Sequence, residues 1–195
     1  MKKALLALAV LFSASLGFAQ PNITATDIID YKALQSAVMS DAKVNQGLDW
    51  KVGDTADYKL KAGFINGTVH SFVREILEAG IWMQQDMDLG FAGKQKVEIL
   101  FDKLTGQVLE ILANGEKQTP PSADDFEVIE FKEAQVTVPA GSFRCVYAKI
   151  LNKKDNKESE AWMNPQEIPM SGTIKQTAPT QVGKMVMELT AFNKQ

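Results

Sequence analysis

A chain of 195 residues, 45% of them hydrophobic, is long enough to bury the substantial core of one domain. Its formal net charge of −3 excludes the basic surface that a nucleic-acid partner requires and offers nothing to anionic lipid headgroups. One cysteine and one histidine exclude an internal disulfide, the clustered ligands of the usual zinc sites, and any catalytic arrangement built on two histidines.

The sequence opens Met1-Lys2-Lys3 and runs apolar from Ala4 to Phe18, broken by Ser13, Ser15 and Gly17. A short basic segment, an apolar stretch of this length and small residues at its end predict a secretory signal peptide over 1–19. Gly17-Phe18-Ala19 places cleavage between Ala19 and Gln20. The competing reading, an uncleaved membrane anchor, needs ~20 apolar residues, and the run falls short. The expectation is therefore a periplasmic or secreted protein with no transmembrane anchor after cleavage. Loss of Lys2 and Lys3 takes the 21 basic residues to 19 against 24 acidic ones, a net charge of about −5.

Residues 20–49 read as a polar lead and one amphipathic helix. Thr26 or Asp27 caps it, and Ile28, Tyr31, Leu34, Gln35 and Val38 recur at three- and four-residue spacing. Asn45-Gln46-Gly47 stops it. Its polar face carries Asp27, Asp30 and Asp41 rather than a basic stripe, which favours packing on the protein over binding a membrane or partner.

From Trp50 the hydrophobic period falls to two. Ala56, Tyr58 and Leu60 alternate with charged residues in a first strand. Asn66-Gly67 is read as a turn, with a strand from Thr68 to about Leu77 and a second turn at Ala79-Gly80. Ile81, Met83, Met87 and Leu89 then share a face. Val97, Ile99 and Phe101 alternate in the next strand, and Asn114-Gly115 ends the one after it. Glu116 to Asp125, with Pro120-Pro121, is predicted as a long loop, and Asn164 to Gly172 as another.

Between those loops lies V-T-V-P-A-G-S-F-R-C-V-Y-A-K-I, residues 136–150. Proline fixes φ and removes a donor, and glycine accepts a positive φ, so a hairpin turns at Pro139 to Ser142. On its second strand Phe143, Cys145 and Tyr147 share one face and Val146, Ala148 and Ile150 the other. Glu158 to Met163, Thr173 to Thr177 and Lys184 to Phe192 complete the set. The expected fold is mainly β, of α+β type. A curved antiparallel sheet of roughly ten strands forms an open half-barrel over 50–195, with the N-terminal helix packed against it.

The chemistry available is thin. Cys145 and His70 form the sole nucleophile–base pair, and Cys145 reads better as a small buried hydrophobe. Asp86, Asp88, Asp124 and Asp125 read as solvated strand and loop charges rather than a catalytic carboxylate pair. The expectation is no enzyme, no cofactor and no metal. Met83, Met87, Met163, Met185 and Met187 fall on inward strand faces, and flexible thioethers suit surfaces that accept variable apolar shapes. Together with Phe143, Cys145 and Tyr147 they make a candidate apolar ligand face. The alternatives are an irregular filled core and, from Met185-x-Met187, a Cu(I) site.

The order Trp50-x-x-Gly53-Asp54, residues 136–145, Glu160-Ala161-Trp162, Pro169-x-x-Gly172 and Glu188-Leu189-Thr190-x-Phe192 resembles a group of uncharacterised exported bacterial proteins. Those are similar in architecture to the periplasmic lipoprotein carriers LolA and LolB. The resemblance implies a curved antiparallel half-barrel with an apolar concave face, where the carriers bind lipoprotein acyl chains. The function expected is binding or carriage of a lipid or lipoprotein acyl chain. The alternative is an envelope protein-interaction or assembly module with a filled core.

Overall fold

The computed structural model of the protein describes residues 48–120 and 122–195. The signal peptide over 1–19 and the amphipathic helix around Ile28 to Val38 lie outside the described residues. Eleven strands form one sheet: β1 Thr55–Ala62, β2 Ile65–Ile76, β3 Gly80–Asp88, β4 Lys94–Asp102, β5 Val108–Ala113, β6 Glu116–Gln118, β7 Phe126–Val138, β8 Gly141–Asn152, β9 Lys157–Met163, β10 Thr173–Thr180 and β11 Gly183–Asn193. Among the described residues the helical elements are two short 3-10 turns, Gly90–Ala92 and Ala123–Asp125.

Every pairing is antiparallel, and the strand order is β6-β5-β4-β3-β2-β1-β11-β10-β9-β8-β7. Strands consecutive in sequence pair with one another except β6 and β7, and the β1–β11 pairing joins the first and last strands. The sheet is open, with β6 and β7 as its edges. β6 is a strand within the segment predicted as a long loop. Within it Lys117 pairs with Leu112 of β5.

One turn differs from its prediction. Asn66 and Gly67 lie inside β2, opposite Lys61 and Leu60, and the chain reverses instead at Gly63-Phe64. Gly63 has φ +57°, and this register sets fully buried Ile65 across from Ala62. A turn at Asn66-Gly67 would slip the register and reassign every side chain's face. Gly67 is a glycine for another reason: a Cβ there would stand 2.5 Å from the Asp88 carbonyl oxygen. Asn114 and Gly115, by contrast, take φ of +51° and +85° and do form the expected turn.

The sheet encloses one core. Ile65, Ile81, Met83, Leu89, Ile99, Ile111, Ile150 and Leu189 are among its most deeply buried side chains, each contributing on the order of 1.5–3 kcal/mol of burial. The segment 164–172 belongs to that core rather than lying over it. Ile168 and Met170 are buried, and Asn164 Nδ2 anchors the segment to the Arg144 carbonyl at 3.0 Å. The β7–β8 hairpin overhangs β9 and reaches β11, where the Ala140 N–H donates to the Leu189 carbonyl at 3.1 Å.

Candidate functional site

Cross-strand partners in an antiparallel ladder share a face, so the register fixes which side chains meet. Leu60 faces Met187, Met187 faces Gln176, Gln176 faces Ala161, Ala161 faces Ala148, and Ala148 faces Phe131. Tyr58 pairs with Leu189 and Val69, and Val69 with Met87; further along β2 and β3, Val73 pairs with Met83. Alternation adds Met163 beside Ala161 and Met185 beside Met187. The methionines Met83, Met87, Met163, Met185 and Met187 therefore line one inner face, and each is 1–4% exposed.

Phe143 and Cys145 belong to the same buried core as the methionines, and Tyr147 does not. Tyr147 pairs with Trp162, Trp162 with Lys175, and Lys175 with Glu188, which places it on the outer face. Phe143 and Cys145 project from β8 on the same side as Tyr147. They are buried because the hairpin overhang bends back: the Phe143 and Phe192 rings stand 6.2 Å apart, edge to face. The Cys145 thiol donates to the Ala134 carbonyl at 3.6 Å, and burial pushes it up from its ordinary pKa. A strand apolar on both faces gives no sign of which face is inward, and the ladder sets Tyr147 outside rather than among the methionines.

The inner face holds a residue that sequence reasoning missed. Gln176 is 1% exposed, and among the described residues neither its Nε2 nor its Oε1 has a hydrogen-bond partner. Nearby buried polar groups are satisfied: Gln85 Nε2 donates to Ser71 Oγ at 2.8 Å, and the Tyr58 hydroxyl donates to the Thr173 carbonyl at 3.2 Å. A buried polar group left unpaired costs roughly 1–3 kcal/mol, and the side chain of Gln176 leaves two. Ala161 and Ala148, both fully buried, leave the adjoining stretch of face low in side-chain bulk as far as Phe131 on edge strand β7. The signal for Gln176 was its place between Ile174 and Ala178 at two-residue spacing, where an apolar residue is the norm.

The outer face carries a self-satisfied polar cluster. Glu160 accepts from Thr177 Oγ1 at 2.7 Å, from the Tyr147 hydroxyl at 3.1 Å and from Lys184 Nζ at 3.2 Å. The Thr177 bond above all holds the Glu160 carboxyl below its ordinary pKa, against burial. Burial first, and then the bond to Glu160, push the Tyr147 phenol up to about 12. Lys132 lies over the Tyr147 ring and Lys175 over Trp162.

His70 and Cys145 are not brought together. His70 Nδ1 bonds Asp57 Oδ1 at 2.6 Å on the outer face of β2, and the strands β1, β11, β10 and β9 separate it from β8. Asp86 is held by Gln84 Nε2 at 2.8 Å, Asp88 pairs with Lys94, and Asp125 with Lys154. Among the described residues no group of three or more His, Cys, Asp or Glu side chains is placed to hold a metal ion. No described helix is long and apolar enough to cross a membrane, a statement that does not bear on strands.

Fold and face together define an open antiparallel sheet wrapped around an apolar, methionine-rich inner face that holds the unpaired buried amide of Gln176. No family model matches the chain, and no curated protein matches its sequence. Among solved structures it is similar to a protein of Bacteroides fragilis described as exported and of YmcC-like fold, at 13% identity and a TM-score of 0.44, over 77% of this chain and 100% of that one. It is also similar to the hypothetical protein CT021 of Chlamydia trachomatis, at 12% identity and a TM-score of 0.47, over 83% and 92% of the two chains. A third likeness is to MucB, at 11% identity and a TM-score of 0.45, over 84% of this chain and 58% of MucB.

Proposed function

We propose that this is an exported, periplasmic, non-enzymatic protein that holds an apolar ligand, a lipid or lipoprotein acyl chain, against its methionine-lined inner face. The observation that carries the reading is Gln176. A position selected for packing alone favours an apolar residue, because a doubly unpaired amide in a core is a standing cost. A ligand that brings its own polar group to an otherwise apolar face offsets that cost. The flexible thioethers of Met185 and Met187 beside it accommodate a guest by changing rotamer rather than backbone. Admission requires the core to open, and the segment 164–172 is the proposed gate.

Native mass spectrometry of the mature protein, purified from its own host's envelope fraction, tests this. The expected result is an added mass matching a lipid, lost on denaturation. A clean apo mass, with no uptake of an apolar fluorescent probe, would overturn the reading.

One observation favours a second reading, an envelope protein-interaction or assembly module with a filled core. The 13-residue β7 is an edge strand paired on one side by β8, and it displays Ile129 and Phe131 at 42% and 52% exposure. Edge strands of this kind accept an added strand from a partner. On that reading the protein takes up no probe and a partner co-purifies with it.

A further inference from the structure

Resting on the reading of the inner face as a site for an apolar chain, the geometry points to the group at that chain's end: we propose a neutral carboxylic acid or primary amide, paired edge to edge with the Gln176 side chain. The argument is one of donor and acceptor matching. A glutamine amide presents an N–H and a carbonyl oxygen side by side on one edge. Both Nε2 and Oε1 of Gln176 are unpartnered, so the complementary group offers an acceptor and a donor side by side as well. A protonated carboxyl and a primary amide do this. An ester has no donor and leaves Oε1 unpaired. The trans secondary amide of an N-acyl group points its N–H and carbonyl in opposite directions, and satisfies one end alone.

The surroundings select the neutral form. On this face β9, β10 and β11 bring Ser159, Ala161 and Met163, Ala178, and Met185 and Met187 around the amide, none of them ionisable. Across from them stand Leu60 on β1 and Ala148 on β8, with the Tyr58 hydroxyl, which donates to Thr173, as the neighbouring titratable group. Lys157, at the solvent-exposed start of β9, shares this face and pairs with Asp155 at 2.8 Å. Glu160, Lys175, Lys184 and Glu188 lie on the opposite face and bond one another or, in the case of Glu160, Thr177 and Tyr147 as well. An ionised carboxylate at Gln176 would find no buried cation beside it among the described residues and would leave Oε1 facing a second acceptor.

The test is displacement of an apolar fluorescent probe from delipidated mature protein by three ligands of one long chain length: the free acid, the primary amide and the methyl ester. At about pH 4, where the acid is largely neutral, the acid and amide are expected to displace the probe at least about tenfold more strongly than the ester. At about pH 8 the acid weakens while the amide does not, because only the acid ionises. Gln176→Met, close in volume, is expected to level the ligands while keeping probe binding. Equal displacement by all three in the wild type overturns the edge-to-edge pairing and leaves the apolar site standing. No probe binding at any pH overturns the apolar site itself. A probe-binding Gln176→Met variant that keeps the preference would also overturn the assignment to Gln176.

Discussion

Gln176 stands directly opposite Met187 in the β10–β11 ladder, a buried amide with no partner facing a thioether that offers it almost nothing. The pair fixes the sign of a stability experiment. Gln176→Met removes both unpaired groups at nearly constant volume. In delipidated protein the variant is expected to be more stable by roughly 1–3 kcal/mol. For a domain of this size that is about 2–4 °C in Tm per kcal/mol, read by thermal unfolding. A lowered Tm would mean that the amide is satisfied in the free protein, as by a trapped water.

The outer-face cluster gives stability two pH limits. Glu160 has a folded pKa below its ordinary 4.5, so its contribution is present above that value and lost as pH falls through the folded one. Tyr147 is the opposite case: raised from 10 to about 12, it stabilises the neutral phenol. Its contribution is complete below 10 and is lost as pH rises toward 12. Urea unfolding of wild type and Glu160→Gln should show a difference in midpoint that is widest near neutrality and shrinks below about pH 4.5. Tyr147→Phe should remove the step near pH 12 from the ultraviolet absorbance of the alkaline titration. A difference that grows in acid would contradict the account of Glu160 as a carboxylate held ionised by Thr177, Lys184 and Tyr147.

Much of the sheet was legible because alternation in β1, β3, β4 and β11 is one-sided, and the core accepts one assignment of faces. Val97, Ile99 and Phe101, and Met185, Met187 and Leu189, are buried as their spacing required. β8 is apolar on both sides, so Tyr147 was placed with the methionines when its ladder partner is Trp162. The strand β7 was recognised only at Val136 to Val138, because its outer length is an exposed edge with charges where alternation would otherwise show. Gln176 was passed over because burial of a polar residue depends on long-range pairing that local spacing does not report. Two Asn-Gly pairs looked alike in sequence and part company in the fold, one in a turn and one in a strand.

That last difference is open to direct measurement. Gly115 has nothing within 4 Å of where a Cβ would stand, so Gly115→Ala meets only the strain of its φ of +85°. Its expected cost is about 1 kcal/mol. Gly67→Ala drives a Cβ against the Asp88 carbonyl oxygen at 2.5 Å and the Leu89 side chain at 3.0 Å, and has to part β2 from β3. Its expected cost is about 3 kcal/mol, read from chemical denaturation. Equal costs would mean that both glycines serve only as turn formers.

The segment 164–172 carries the last test, because its role as a gate and its place in the core make opposing demands. Ile168 is fully buried although it sits in no strand, and the segment is tied down by the Asn164 N–H to the Gly172 carbonyl at 2.7 Å and by Lys194 Nζ to the carbonyls of Pro165 and Gln166. Packing of this depth predicts that Ile168→Ala costs about 2–5 kcal/mol, as in a strand. A gate, however, must open at a free energy below that of global unfolding. Amide hydrogen exchange of the intact protein separates the two demands. If the segment exchanges through local opening, Ile168→Ala should speed exchange at 164–172 more than at β3 and β4, and should speed ligand uptake as well. Uniform acceleration across the sheet would show a plug that leaves its place only when the whole domain unfolds, and the path of entry would then have to lie at the Phe131 edge.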